Sequence, residues 1–228
     1  MLDVHLPHKP HGFREFLLHL FTITIGLLIA TQIESCVEWR HHVHLAEEAR
    51  TSLRAEIQSN LEALQAAQPG LKAWRDSIDA DFDTMQKIQN HPNDLQAQRT
   101  PLSVSYSSLR LPDTAWKTAE STNALAYMPY KEAEQYSNIY QAQAALLAYQ
   151  EKAGDDVAGI LGLVARFNVH ATPASTLTAE QAGALAEKFN QMRSHLLSGN
   201  LLFRRCIDTD QAFLENRAPT KSITDSLK

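Results

Sequence analysis

A run of 18 residues near the start of the chain, Phe16 to Ile33, contains no Asp, Glu, Lys or Arg; the flanking charges are Glu15 and Glu34. As a helix at ~1.5 Å per residue it rises about 27 Å, close to the ~30 Å hydrocarbon thickness of a bilayer. A secretory signal is the main competitor, but its apolar region spans about 7–15 residues and ends at a small-residue cleavage site. The flank here is Thr31-Gln32-Ile33-Glu34-Ser35-Cys36, with no Ala-x-Ala pattern and a poor lead-in to a lipoprotein cysteine. The run therefore reads as an uncleaved single-pass anchor, with a polar tail over 1–15 and a transmembrane helix over 16–35. A mean hydropathy of −0.30 over the chain excludes a polytopic membrane protein while leaving room for one span.

Lys9 and Arg14 on one flank nearly balance Arg40 and Arg50 on the other. The free amino group tips the positive-inside rule towards a cytoplasmic N-terminus, which puts the remainder in the periplasm of a bacterium. Within the span, Thr22, Gly26 and Ala30 recur every fourth residue, a small-residue stripe on which two helices can pack closely in lipid. A homo-oligomer or a partner membrane protein is the expectation, beside chance, since Gly, Ala and Thr are common in such spans. His19 sits one turn from the boundary and can reach the interface.

The run Ile25-Gly26-Leu27-Leu28-Ile29-Ala30-Thr31-Gln32-Ile33, Trp39, and then Leu53-Arg54-Ala55-Glu56-Ile57-Gln58-Ser59-Asn60-Leu61 carry a likeness. Over residues 14–65 the chain resembles a widespread family of uncharacterised bacterial single-pass membrane proteins. That family shows a Gly-apolar-Leu-Ile-Ala-apolar-Gln-Ile span, then a Trp and a Leu-x-x-Glu-Ile-x-x-Asn-Leu helix. Glu34-Ser35-Cys36 replaces its usual Asn-rich turn. The resemblance implies an anchor and an extracytoplasmic helical region, and no chemistry.

Beyond the span the pattern is helical throughout, an all-α antiparallel bundle over 36–216. Leu45, Ala49, Leu53, Ile57, Leu61 and Leu64 form one helical face, with no Gly or Pro from Glu34 to Ala67. Pro69-Gly70 predicts a stop, and Leu71, Trp74, Ile78, Phe82, Met85 and Ile88 a second helix, hence an antiparallel hairpin over 36–90. Three prolines make 91–112 a loop, and 113–216 returns to helices. Asp113 is placed to cap a short helix reaching Met128, a further helix runs from Tyr130 to Asn168, and Thr178 with Gln181 forms a capping-box pattern. On the last helix Ala182, Leu185, Phe189, Met192, Leu196, Gly199, Phe203, Cys206, Asp210 and Phe213 alternate steps of three and four, a heptad seam. Residues 217–228 read as a flexible tail.

Two constellations suggest binding. Trp116, Tyr136 and Tyr140 suit either a small-ligand pocket between helices or a core whose hydroxyls reach the surface. Glu38, His41, His42 and His44 are candidate metal ligands just beyond the span, although neighbouring histidines on a helix diverge by ~100° and fit a polar collar better. His5, His8 and His11 form a second, unspecific patch in the N-terminal tail. Asp79-x-Asp81-x-Asp83 lacks the Gly and Glu of a calcium loop, and Asp76, Asp79 and Asp83 read instead as a solvated acidic stripe.

No phosphate loop, His-Glu-x-x-His, Gly-x-Ser-x-Gly or Cys-x-x-Cys occurs, so no enzyme and no cofactor is expected. A net charge of −5 argues against nucleic acid. Cys36 and Cys206 form no framework; pairing or isolated thiols both remain open. The expected function is protein–protein interaction or self-assembly at the membrane, with small-ligand sensing or metal binding as alternatives.

Overall fold

The computed structural model describes residues 12–169 and 176–219. Among them every regular element is helical: α1 (Phe13–Asn90), α2 (Leu95–Arg99), α3 (Thr114–Ser121), a 3-10 turn (Ala124–Tyr127), α4 (Tyr130–Arg166) and α5 (Ala179–Leu214). The all-α reading holds. Two compact units are present, Met1–Glu48 and Ala49–Lys228, and α1 contributes to both.

In the first unit the helix carries an 18-residue window of mean hydropathy 2.0, none of it buried. It is long and apolar enough to cross a membrane. Its threonines satisfy their hydroxyls on their own helix: Thr22 Oγ1 donates to the Leu18 carbonyl at 2.9 Å, Thr24 to Leu20 at 2.8 Å and Thr31 to Leu28 at 3.0 Å. That internal satisfaction is what hydrocarbon requires of a polar side chain.

The second unit is built on three long segments: residues 49–90 of α1, then α4 and α5. Arg50 meets Glu132 at 2.7 Å and Asn60 meets Gln143 at 2.8 Å, so α4 advances in the same direction as α1. Arg54 donates to the Leu214 carbonyl at 2.7 Å and Arg193 pairs with Asp79 at 2.6 Å, so α5 runs antiparallel to α1. A parallel pair needs a long crossover, and residues 91–129 supply it. Ser103 N–H reaches Asp81, Leu109 reaches Gln150 and Ala115 N–H reaches Glu56, marking its path back along the bundle.

This corrects the hairpin expected over 36–90. α1 passes through Pro69 without a break. The reason is register: Leu61, Leu64, Leu71, Trp74 and Ile78 stay at helical spacing across the proline, and all face the core or its margin. A continuous helix keeps that face buried, whereas a turn would rotate it away. The missing N–H of a mid-helix proline costs about 3 kcal/mol, less than the burial of several large side chains at about 1.5–3 kcal/mol each.

Helix ends follow local chemistry. Thr178 and Gln181 complete the capping box at the start of α5. Asp94, not anticipated, caps α2 by accepting from the Gln96 and Ala97 amides. Asp113 does not cap α3 through its side chain and instead pairs with Lys117 at 2.9 Å. That helix ends at Ser121, short of Met128, because Asn123 takes a left-handed φ of 59°. Asn168 and Asn216 close α4 and α5 in the same conformation, each with paired 6→1 and 5→2 amide bonds. Arg217, expected in the flexible tail, is tied by its amide to the Ala212 carbonyl and by its guanidinium to Asp208. Residues 220–228 lie outside the described residues.

Candidate functional site: a cavity beside Trp74

Two hydrophobic clusters within the bundle core border the site. One gathers Ile78, Met85, Ile160, Leu185 and Phe189; the other gathers Leu64, Leu111, Leu146, Phe203 and Cys206. Where they meet, a cavity of about 330 Å³ opens. Small residues create it: Ala66, Ala67 and Gly70 on α1, Ala153 on α4 and Gly199 on α5. A Cβ on Gly70 would meet nothing within 4 Å, and one on Gly199 would meet the Tyr149 ring at 3.8 Å. Size and apolar lining are those of a small-molecule site.

One wall is a strap of the crossover, held in place by hydrogen bonds. Gln150 makes a two-point pair with Leu109, accepting from the backbone N–H at 2.6 Å and donating to the carbonyl at 3.1 Å. Tyr106 donates to the Gln150 carbonyl at 3.3 Å, and its ring meets Trp74 edge-on with centroids 6.2 Å apart. Trp74 Nε1 is buried and finds no acceptor among the described residues. On the α5 side, His195 lines the cavity and its Nδ1 lies 2.6 Å from a carboxylate oxygen of the nearly buried Asp156. Ser107 and Ser108 line the same space, but neither hydroxyl hydrogen-bonds the imidazole, so the pair is not extended to a nucleophile.

Trp116, Tyr136 and Tyr140 lie elsewhere, as core. Trp116 stacks on Tyr140 with centroids 5.2 Å apart, Tyr136 packs on Phe213 at 5.0 Å, and the Tyr140 hydroxyl donates to Glu56 at 2.8 Å. Burial, with the Glu56 carboxylate next in weight, holds the Tyr140 phenol far above its ordinary range. None of the three lines the Trp74 cavity. The aromatic bodies fill space and Glu56 takes the polar tip.

Glu38, His41, His42 and His44 stand on the first unit's helix, where His44 Nε2 contacts Glu48 at 3.1 Å and the His41 and His42 rings are 6.1 Å apart. Among the described residues no group of three or more His, Cys, Asp or Glu is disposed to hold a metal. His5, His8 and His11 lie outside the described residues. Cys36 and Cys206 are free thiols, the first exposed and the second buried. Burial, and after it the neighbouring Asp210, pushes the Cys206 thiol up to about 12, which leaves it unreactive. Asp79 is not simply solvated, since it pairs with Arg193; Asp81 is buried on the Ser103 amide.

A second polar feature lies inside the core. Asn60, Gln143 and Asp210 are all buried, and the Gln143 amide joins them: it accepts from Asn60 Nδ2 at 2.8 Å and donates to Asp210 Oδ2 at 2.8 Å. Asn60 Oδ1 and Asp210 Oδ1 have no partner among the described residues. Burial raises the Asp210 carboxyl to about 7 against the lowering effect of Gln143.

Sequence reasoning missed the cavity because it forms only when α1, α4, α5 and the crossover come together. Its one visible trace was Gly199, a glycine at a seam position where a large apolar residue is the rule. No family model, no curated protein and no solved structure matches this chain.

Proposed function

We propose that the chain is a membrane-anchored, non-enzymatic helical bundle that takes up a small, mostly apolar ligand beside Trp74. The observation that carries this reading is the 330 Å³ cavity lined by small residues and walled by a hydrogen-bonded strap. The apolar helix of the first unit supports the anchor. The resemblance of residues 14–65 to bacterial single-pass proteins, with the charge balance around the span, supports the inner membrane and a periplasmic bundle.

The test is a thermal-shift screen of the full chain in lipid nanodiscs against small apolar compounds. A compound bound only by the native state raises the melting temperature, by the equivalent of ~2.7 kcal/mol at a hundredfold excess over Kd. Gly199→Leu, which fills the cavity, should abolish the response. No responding compound, or an equal response from the filled variant, defeats the reading.

Self-assembly through the first unit is a second reading. Thr22, Gly26 and Ala30 are all exposed, and a Cβ on Gly26 meets nothing within 4 Å, which leaves that stripe open to a second copy of the span.

A further inference from the structure

We infer that the outward face of α4 between Asp155 and Arg166 is a contact surface for a second copy of this chain, the two helices meeting antiparallel. Residues 157–165, Val-Ala-Gly-Ile-Leu-Gly-Leu-Val-Ala, hold no polar or charged side chain. Val157 and Ile160 turn inward and are buried in the core. Ala158, Gly159, Leu161, Gly162 and Ala165 are exposed, Leu161 at 48%. A helix that is apolar all round is normally covered on every side, and the outer half of this run has no cover among the described residues.

Charge and symmetry select what covers it. Asp155 and Arg166 are exposed at the two ends of the run, and neither is in an ion pair among the described residues; the Arg166 guanidinium lies over the Phe167 ring at 6.0 Å. At ~100° per residue, Asp155, Gly159, Gly162 and Arg166 fall within about 60° of one another, on one strip of the helix. A two-fold axis through the midpoint between Ile160 and Leu161 sets each Asp155 opposite the partner's Arg166 and each Gly159 opposite the partner's Gly162. A face that complements itself about a two-fold axis is what a homodimer requires. A parallel pair would set Asp155 beside Asp155, and like charges repel.

Glycines at the crossing let the two backbones approach, since a Cβ on Gly159 or Gly162 meets nothing within 4 Å. A bilayer fits the face less well. The run is far shorter than the ~20 residues a span needs. An interfacial helix presents large apolar side chains, and among the exposed residues of this run Leu161 alone is large.

The experiment uses the full chain in lipid nanodiscs at one copy per disc, which keeps the spans apart and removes any contribution from Thr22, Gly26 and Ala30. Residues 49–90 of α1 run the same way as α4, so the pair sets its two Ala49 ends apart, and separate discs leave room for that. Sedimentation velocity at rising concentration should show discs pairing. Asp155→Arg should weaken pairing by about tenfold or more, and Asp155→Arg combined with Arg166→Asp should restore it. Gly162→Leu, which places a side chain in the open space, should abolish it. With Cys36→Ser as background, discs carrying Gly159→Cys mixed with discs carrying Gly162→Cys should crosslink through a short bis-maleimide faster than either variant alone. Discs that stay single, or pairing that Gly162→Leu leaves unchanged, overturn the assignment of this face. Equal weakening by the single and the double charge change, or faster crosslinking within one variant, overturns the antiparallel register. Discs that stay single but bind protein-free liposomes, and lose that binding with Gly162→Glu, give the face to lipid instead.

Discussion

Asp210 makes the stability of the bundle depend on pH in a direction opposite to that of most paired carboxylates. Its carboxyl is fully buried, is raised from 3.8 to about 7 by that burial, and accepts one hydrogen bond, from Gln143. Because the native state holds the proton more tightly than the unfolded chain, the Asp210 contribution is fully present below pH 4. It falls as pH rises through the interval from 4 to about 7 and is flat above it. At ~1.36 kcal/mol per pH unit, that interval removes at most roughly 4 kcal/mol. Asp210→Asn imitates the protonated acid: its amide oxygen still accepts from Gln143, and it carries no charge at any pH. The assay is urea unfolding of the full chain in mild detergent at pH 4.5, 6 and 8, followed by far-UV circular dichroism. The variant should lie within about 1 kcal/mol of wild type at pH 4.5 and exceed it by up to about 4 kcal/mol at pH 8, with a shallower pH slope. Equal slopes, or a variant less stable than wild type at pH 8, would refute the claim that burial of the ionised Asp210 carboxylate costs the bundle stability at high pH.

Pro69→Ala should stabilise the second unit by up to about 3 kcal/mol in the same unfolding assay, since it restores an N–H inside a continuous helix. A loss of stability would show that the chain turns there. Gly26→Leu should reduce the dimer fraction trapped by chemical crosslinking in membranes if the open stripe holds two spans together; an unchanged fraction removes the self-assembly reading.

Most of the fold was legible because core contact imposes a period. Leu53, Ile57, Leu61 and Leu64 on α1 are buried as their spacing requires, and so are Leu185, Phe189, Met192, Phe203 and Cys206 on α5. The exception was Pro69. A proline followed by glycine is a strong local stop, but the apolar face on either side of it is in phase, and packing outweighed the local signal. Relative direction was the less legible part. The spacing along α1 and α4 is the same whether they run parallel or antiparallel, and only contacts such as Arg50 with Glu132 and Asn60 with Gln143 distinguish the two.

The site was harder to read for a related reason. Tyrosine and tryptophan suit a pocket or a core equally, and the spacing does not reveal that Glu56, on a different helix, takes the Tyr140 hydroxyl while Trp116 stacks on the Tyr140 ring. The cavity and the Asp210 set are opposite departures from ideal packing in one bundle. The cavity has room and no Asp, Glu, Lys or Arg in its lining, and its strap is fixed by the Gln150–Leu109 pair rather than collapsed inward. Asp210 has a titratable group and no exposure to solvent, and it is not part of the cavity wall. A guest that fills space therefore answers the first, and a proton alone answers the second. Binding at Trp74 should consequently persist in Asp210→Asn, because the two features share neither lining residue nor hydrogen bond.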